Sequence, residues 1–315
     1  MDDRAALVAA AHQSIRLGSK SFAAASTLFD RQTRERVWLL YAWCRKCDDI
    51  ADGQDHGGAL SAVADAPARI DEIRRLTALA LAGQPTGEMA FDAFGQVAAE
   101  CGLTMDLAED VITGFALDAA DWRPRTESDL MRYGYHVAGA VGVMMAQVMG
   151  VAADDADTLD RACDLGLSFQ LGNIARDVSE DDAAGRCYLP VEWLVEADIP
   201  PGEHMKPGHR PALVALVGRM LDLAADHEAA ARMGAARLAF RQRWAILAAA
   251  NIYGAIGRQV RALGEHAWDH RVHTSGTAKL GHVAAALLQA ARQPATPPRW
   301  PLWTRSELAA KGRGG

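Results

Sequence analysis

The chain has 315 residues, half of them hydrophobic, and a formal net charge of −7. That length and apolar content support a large core, in one domain or two, and the acidic balance excludes a general nucleic-acid binder. Five cysteines, at 44, 47, 101, 163 and 187, are too few and too scattered for a disulfide framework, so a reducing, cytoplasmic setting is expected.

The start, MDDRAALVAAAHQ, has no basic segment followed by an apolar one, and no signal peptide is expected. Ala, Leu, Arg and Glu dominate, with helical spacing and little period-2 alternation. Breaks at HGG, AGQPTG, WRPRT, DIPPGEHMKPGHRP and RQPATPPRWP divide the chain into roughly ten to twelve helices. No repeat recurs and no linker separates halves of different composition. The expectation is an all-α protein with a single domain over 1–293 and a loose tail over 294–315.

The first informative helix spans 36–52. At 100° per residue, Tyr41, Arg45, Asp48 and Asp52 share one face, with Val37, Leu40, Cys44, Cys47 and Ala51 beside it. Leu39, Trp43 and Ile50 occupy the far side, so the helix is apolar on most sides and reads as buried. Asp48 and Asp52 repel each other one turn apart by roughly 0.2–0.5 kcal/mol, more when buried. Arg45 balances one charge, and a hard divalent cation would balance the rest. Alone, such a pair reads as a solvated helix end. Cys44 and Cys47 form CxxC, but no second pair stands at zinc spacing and both fall on the apolar stripe, which favours packing.

Residues 137–153 form the longest apolar run. It is rich in Gly and Ala and broken by Gln147, and reads as a core helix. The acids of 153–164 read as capping and solvating a helix start. The next helix, GLSFQLGNIARDVSED, places Gly166, Gln170, Asn173, Asp177 and Asp181 on a narrow face, with Arg176, Arg186 and Tyr188 close by. Two helices with carboxylates one turn apart change the balance. They read as a pair of metal-binding walls, suited to a phosphate-bearing ligand held through Mg²⁺ and arginine. No P-loop and no GxGxxG motif is present. Further on, His266, His270 and His273 read as a solvated helix face. Trp300 and Trp303, with Arg299 and Arg305, read as a membrane contact or an uncommitted tail.

Several motifs in order resemble the squalene/phytoene synthase family, from about Ser19 to about Lys279. They are SKSF (19–22), YAWCRKCDDIAD (41–52), YGYHVAGAVG (133–142), QLGNIARDVSED (170–181), GRCYLP (185–190) and AWDHRVHTS (267–275). LYAWCRKCDDIAD and AWDHRV are most similar to the bacterial phytoene synthases. Gly53 in place of a further acid is a loop variation, and Asp49 gives the first motif the DDxxD form of head-to-tail elongators, which the second does not repeat. The resemblance implies an isoprenoid-synthase helical bundle around a central cavity. It implies head-to-head condensation of two geranylgeranyl diphosphates through prephytoene diphosphate to phytoene, in carotenoid biosynthesis. The alternatives are a squalene- or dehydrosqualene-forming enzyme using farnesyl diphosphate, or a non-catalytic prenyl-lipid-binding protein.

By the same resemblance, Asp48, Asp52, Asn173, Asp177 and Asp181 would hold Mg²⁺ or Mn²⁺. Arg45, Gln170, Arg176, Arg186 and Tyr188 would surround the diphosphates. Ser19, Ser21 and Phe22 match a substrate-contact motif, and Tyr41, Tyr133 and Tyr253 match cavity aromatics that stabilise carbocations. Gly134, Gly139 and Gly142 would let a thin C20 chain lie close. No NADPH is expected. ATP stimulates some members, and contact with other carotenoid-pathway enzymes is a further expectation.

Overall fold

The structure, a computed structural model, describes residues 4–52, 66–292, 298–300 and 302–310, without the side chains of Lys20, Ser21, Asp52 and Ala310. Among the described residues every regular element is helical. The chain divides by its contacts into two units, Met1–Ala120 with Val143–Leu159, and Asp121–Gly142 with Asp160–Gly315.

The first unit holds α1 (Arg4–Gly18), α2 (Lys20–Ser26), α3 (Arg31–Asp52), α4 (Ala66–Leu81), α5 (Met89–Cys101) and α6 (Met105–Ala119). Asp30 starts α3, accepting the Thr33 amide at 2.9 Å and its hydroxyl at 2.7 Å. Helix α3 is buried on most of its circumference, as its composition predicts: Val37, Leu39, Leu40, Trp43 and Cys47 are inaccessible to solvent or nearly so. Trp43 stacks on Phe94 at 4.3 Å and donates its indole N–H to Thr77 Oγ1 at 3.2 Å. This indole ties α3 to α4 and α5, and its loss would cost about 3–5 kcal/mol. Arg4 links Glu35 and Glu100, both at 2.6 Å, and so clips α1 to α3 and α5.

The second unit contains α7 (Glu127–Gly134), a π-helical segment (Tyr135–Gly139), the start of α8 (Ala140–Val148) and most of α9 (Ala156–Ala183). Then come α10 (Val191–Glu196), α11 (Arg210–Gly234), α12 (Phe240–Leu263), α13 (Gly276–Ala291) and α14 (Arg305–Ala310). The apolar run near 137–153 is a core element, with Val143, Met144, Ala146 and Val148 buried. Among the described residues no helix is long and apolar enough to cross a membrane.

Two expectations change here. Gly134, Gly139 and Gly142 do not open space for a substrate chain. A Cβ on Gly139 would meet Cys163 Sγ at 2.9 Å, one on Gly142 would strike the Ala162 carbonyl, and one on Gly134 would meet Leu167 Cδ2 at 3.2 Å. Gly166 answers from α9, where a Cβ would lie 2.6 Å from the Ala138 carbonyl carbon. These glycines are small because α9 and the 134–142 segment pack backbone to backbone.

The segment after residue 294 is also not uniformly loose. Arg299 donates two hydrogen bonds to the inaccessible Asp164 carboxylate, at 2.9 and 2.8 Å. Arg305 lies 3.3 Å from Asp160, and Leu308 of α14 is fully buried. Asp164 also bonds His227 Nδ1 at 2.7 Å. Of the 153–164 acids, Asp155 caps Thr158 as expected, whereas the partly buried Asp160 and the buried Asp164 form anchors instead of a solvated face.

Candidate active site

The first acidic face lies on α3. Arg45 Nη2 donates to Asp49 Oδ1 at 2.7 Å, and Nη1 lies 3.1 Å from Asp48 Oδ2. Asp49 is buried, while the Asp48 side chain is 42 % exposed. Burial alone would lower the Arg45 pKa, but the Asp49 hydrogen bond and the Asp48 charge raise it. One guanidinium therefore spans two successive carboxylates, at i+3 and i+4. Sequence spacing identifies the i+3 pair and misses that Asp49 is the tighter partner. Asp52 closes the helix, and its side chain, like that of Ser21, lies outside the described residues, as does Gly53.

One turn before Arg45, Tyr41 places its hydroxyl against Gly18, where any Cβ would collide with it. Burial pushes that phenol's pKa up, so it stays protonated at neutral pH. Phe22 packs on the Tyr41 ring at 5.6 Å. Ser19 caps α2, its hydroxyl oxygen accepting the Phe22 amide at 3.3 Å. Cys44 and Cys47 are free thiols, and burial raises both pKa values, that of Cys44 to about 12. They are packing residues, as expected.

The second acidic face lies on α9. Asp177 receives both Arg176, with Nε at 2.6 Å and Nη2 closer still, and Arg271, with Nε at 2.9 Å and Nη2 at 3.0 Å. Burial would raise the Asp177 pKa, but the hydrogen bonds from Arg176 and Arg271 outweigh it and hold the carboxyl below its ordinary value. Gln170 and Asn173 are partly exposed on preceding turns. Past the end of α9 the chain folds back through Gly185, whose φ of +74° suits glycine. The Arg186 amide there donates to the Asp181 carbonyl at 2.7 Å, and Arg123 fixes the turn by donating to the Gly185 carbonyl at 2.7 Å. Arg186 is thereby held at the carboxylate end of α9.

Aromatic rings accompany this face. Tyr188 stacks on Tyr133 at 4.9 Å, and Tyr133 on Trp122 at 5.8 Å. Tyr253 of α12 stacks on Phe169 of α9 at 4.3 Å. Burial raises the Tyr253 pKa against the opposing pull of Arg176.

Arg271 is the residue whose role the sequence conceals. It sits in AWDHRVHTS, 94 positions from Asp177, and no period links the two. Its place is set by Trp268, whose indole donates to the Ala175 carbonyl at 2.9 Å. This anchoring also overturns the expected helical face for His266, His270 and His273. Residues 271–275 are irregular, and His266 bonds Asp269 at 2.8 Å.

Among the described residues, no three His, Cys, Asp or Glu side chains form a group that could hold a metal ion. Among the described side chains, α3 offers the carboxylates of Asp48 and Asp49, and α9 those of Asp177 and Asp181 one turn apart with the Asn173 amide. An all-oxygen donor set of that size suits an ion that takes one or two protein carboxylates and completes its shell with phosphate oxygens and water, as Mg²⁺ does.

A family model described as squalene/phytoene synthase matches residues 15–278. A phytoene synthase of Pseudescherichia vulneris is 45 % identical over 300 residues, covering 94 % of this chain and 96 % of that protein. A 15-cis-phytoene synthase of Pantoea ananas is 44 % identical over 298 residues, covering 93 % and 96 %. Among solved structures, a dehydrosqualene synthase in complex with ligand matches with a TM-score of 0.78 at 26 % identity, over 90 % of this chain and 96 % of that one. The chain belongs to the squalene/phytoene synthase family, and its fold is the all-α isoprenoid-synthase fold.

Proposed function

We propose that the chain is a prenyltransferase that condenses two geranylgeranyl diphosphates head to head, through prephytoene diphosphate, to phytoene, with release of diphosphate. The observation that carries this reading is the near full-length similarity, at 44–45 % identity, to bacterial proteins named phytoene synthase. The site chemistry supports it: Asp48 on α3 and Asp177 on α9, each bound to guanidinium, are the groups that diphosphate ionisation needs. In this reading the two units act as one catalytic domain, which the family match running from 15 to 278 supports.

Asp48 and Asp52 from α3, with Asn173, Asp177 and Asp181 from α9, are the residues that would hold Mg²⁺ or Mn²⁺. Such an ion, when bound, neutralises charge that develops on the leaving diphosphate. Arg45, Arg176, Arg186 and Arg271 bind and orient phosphate oxygens. Preorganised cations of this kind are worth several kcal/mol of barrier. Gln170 positions the same group by hydrogen bonding. Phe22, Tyr133, Tyr188 and Tyr253 offer ring faces that stabilise allylic and cyclopropylcarbinyl cations without attacking them. Tyr41, one turn before Arg45, would offer a further ring face to these cations. Ser19 and Ser21 would contact the substrate.

Turnover takes place in the cytoplasm or at a membrane surface, without NADPH. The test is incubation of the purified chain with geranylgeranyl or farnesyl diphosphate and Mg²⁺, with and without NADPH, ATP or chelator, and identification of the hydrocarbon. Phytoene from the C20 substrate without NADPH, abolished by chelator, is expected. A five-carbon deficit per tail forfeits roughly 0.8 kcal/mol of burial per methylene, so farnesyl diphosphate should be poorer. A preference for farnesyl diphosphate, or a strict NADPH requirement, would move the chain to the squalene-type branch.

A further inference from the structure

We propose that Arg299 is a positioning residue: with α14 it straps α9 to the Tyr135–Gly139 segment, and so sets the register in which the second acidic face meets its aromatic rings. The inference rests on the proposed function for the chemistry which that register serves. The contact between α9 and residues 134–142 has little of its own to hold it in place. It is built from glycines set against backbone: a Cβ on Gly142 would strike the Ala162 carbonyl, and one on Gly166 the Ala138 carbonyl. Interdigitating side chains fix helix register by seating ridges in grooves, and glycines supply no ridge. The rings nevertheless depend on that register. Tyr133 stands two residues before the π-helical segment, and its stacking partner Tyr188 follows the turn that ends α9.

The segment that carries Arg299 and α14 supplies what the glycines lack. Asp160 and Asp164 stand one turn apart on α9. Arg299 holds the inaccessible Asp164 with Nε at 2.9 Å and Nη2 at 2.8 Å, and Arg305 Nε lies 3.3 Å from Asp160. Arg299 also donates to its own segment, from Nη2 to the Trp303 carbonyl at 2.6 Å and from Nη1 to the Leu302 carbonyl at 3.4 Å. One guanidinium thus grips α9 and folds the strap around itself. Thr304 then starts α14: its hydroxyl oxygen accepts the Glu307 amide at 3.3 Å, and its amide donates to Glu307 Oε2 at 2.8 Å. Helix α14 packs on the π-helical segment and on α7, with Leu308 fully buried. One end of the strap is therefore on α9 and the other on the opposite side of the glycine contact.

The kind of bond points to register more than to stability. A buried ion pair gains little over apolar residues of the same volume. Its geometry is exacting, because a guanidinium fork meets both oxygens of a carboxylate in one plane. A third bond, with His227 Nδ1 at 2.7 Å, fixes the Asp164 carboxylate itself. Asp164 stands about 20 Å along α9 from Asp177 at 1.5 Å per residue, so Arg299 acts through the helix and not on the substrate.

The test is Arg299→Gln, Leu308→Ala and their double variant in the full chain, each assayed with geranylgeranyl diphosphate and followed by amide hydrogen exchange. Ring faces act on cations that exist only during the reaction, so Arg299→Gln should lower kcat about tenfold and leave KM within about twofold. Arg299→Lys keeps the charge without the fork and should recover part of the loss. Leu308→Ala should lose kcat in the same way, and the double variant should fall no further than the worse single one, because either change frees the strap. Exchange should quicken at the amides of 134–142 in each, with far-ultraviolet circular dichroism unchanged. Arg305→Gln, at a partly exposed pair, should lower kcat about threefold and serves if Arg299→Gln does not fold. Wild-type kcat in the folded variants, a loss confined to KM, additive losses, or unchanged exchange over 134–142 would overturn the proposal. Exchange needs no turnover, so strap release in a chain that makes no phytoene would sink the functional reading and leave the register role standing.

Discussion

The two acidic helices solve opposite problems with the same residue types. On α3, Arg45 is divided between Asp48 and Asp49. On α9, Arg176 and Arg271 converge on the single carboxylate of Asp177. A guanidinium shared between two acids lies under negative potential, and Asp48, half in water, takes the longer of its two contacts. A carboxylate gripped by two guanidinia is neutralised more than once over. The first arrangement favours an added cation. The second favours an added anion, which draws arginine away and frees Asp177. The contrast is one of charge: α3 is left with carboxylate in excess and α9 with guanidinium in excess.

Removing the carboxylate from the doubly gripped side should have the largest effect. Asp177→Asn loses its charge, leaves Arg176 and Arg271 facing an amide, and should cut turnover by about 10³-fold with circular dichroism unchanged. If Asp48 serves the same substrates, the Asp48→Asn/Asp177→Asn double variant should fall little below the worse single one. Strict additivity in steady-state kinetics would instead mean that the helices act independently.

Next come the arginines. Arg45→Gln removes the guanidinium shared by Asp48 and Asp49 and should cost about 10²-fold in kcat/KM. Arg271→Gln leaves Arg176 in place and should cost about tenfold. The reverse order would break the comparison.

The pH dependence is finer. Asp177 has its pKa held below the ordinary 3.8, so the stability it contributes is complete above 3.8 and is lost as pH falls through the depressed value. Arg271→Gln should raise that value and narrow the window. Glu100, brought to about 2 from 4.5 by Arg4, Arg36 and Gln96 against the opposing effect of burial, behaves likewise. Denaturant unfolding should show stability declining from pH 4.5 towards 2, with a smaller decline in Glu100→Gln. Smallest in its effect on chemistry is Gly166→Ala. Its methyl group would meet the Ala138 backbone, lowering the unfolding free energy by about 1–3 kcal/mol, and turnover should fall only as far as α9 shifts.

Helical spacing makes the all-α class, the buried character of α3 and the two acidic faces legible, because an i,i+4 relation is written directly in the chain. Partnerships across distance are not. Arg271 meets Asp177, Arg299 meets Asp164, and Trp268 meets Ala175 only after folding. Local reading therefore turns a docked C-terminal segment into a tail and an anchored loop into a helix. The glycines are a case of ambiguity: a missing side chain makes room equally for a ligand or for another backbone, and only the Ala138 and Ala162 carbonyls show which.

The π-helical turn at Tyr135–Gly139 carries a consequence for how this sequence tolerates change. Such a turn amounts to one surplus residue within a continuous helical path. Upstream of it, Gly134 abuts Leu167, and downstream Gly142 abuts Ala162. The surplus residue thus sets the angular phase between two stretches that both press on α9. A one-residue deletion within 135–139 would relax the wide turn to ordinary helix and rotate one stretch by about 100° relative to the other. Either Tyr133 leaves Tyr188 or Gly142 leaves Ala162. The segment's length is therefore as constrained as the glycine at 139, where a Cβ would meet Cys163 Sγ at 2.9 Å.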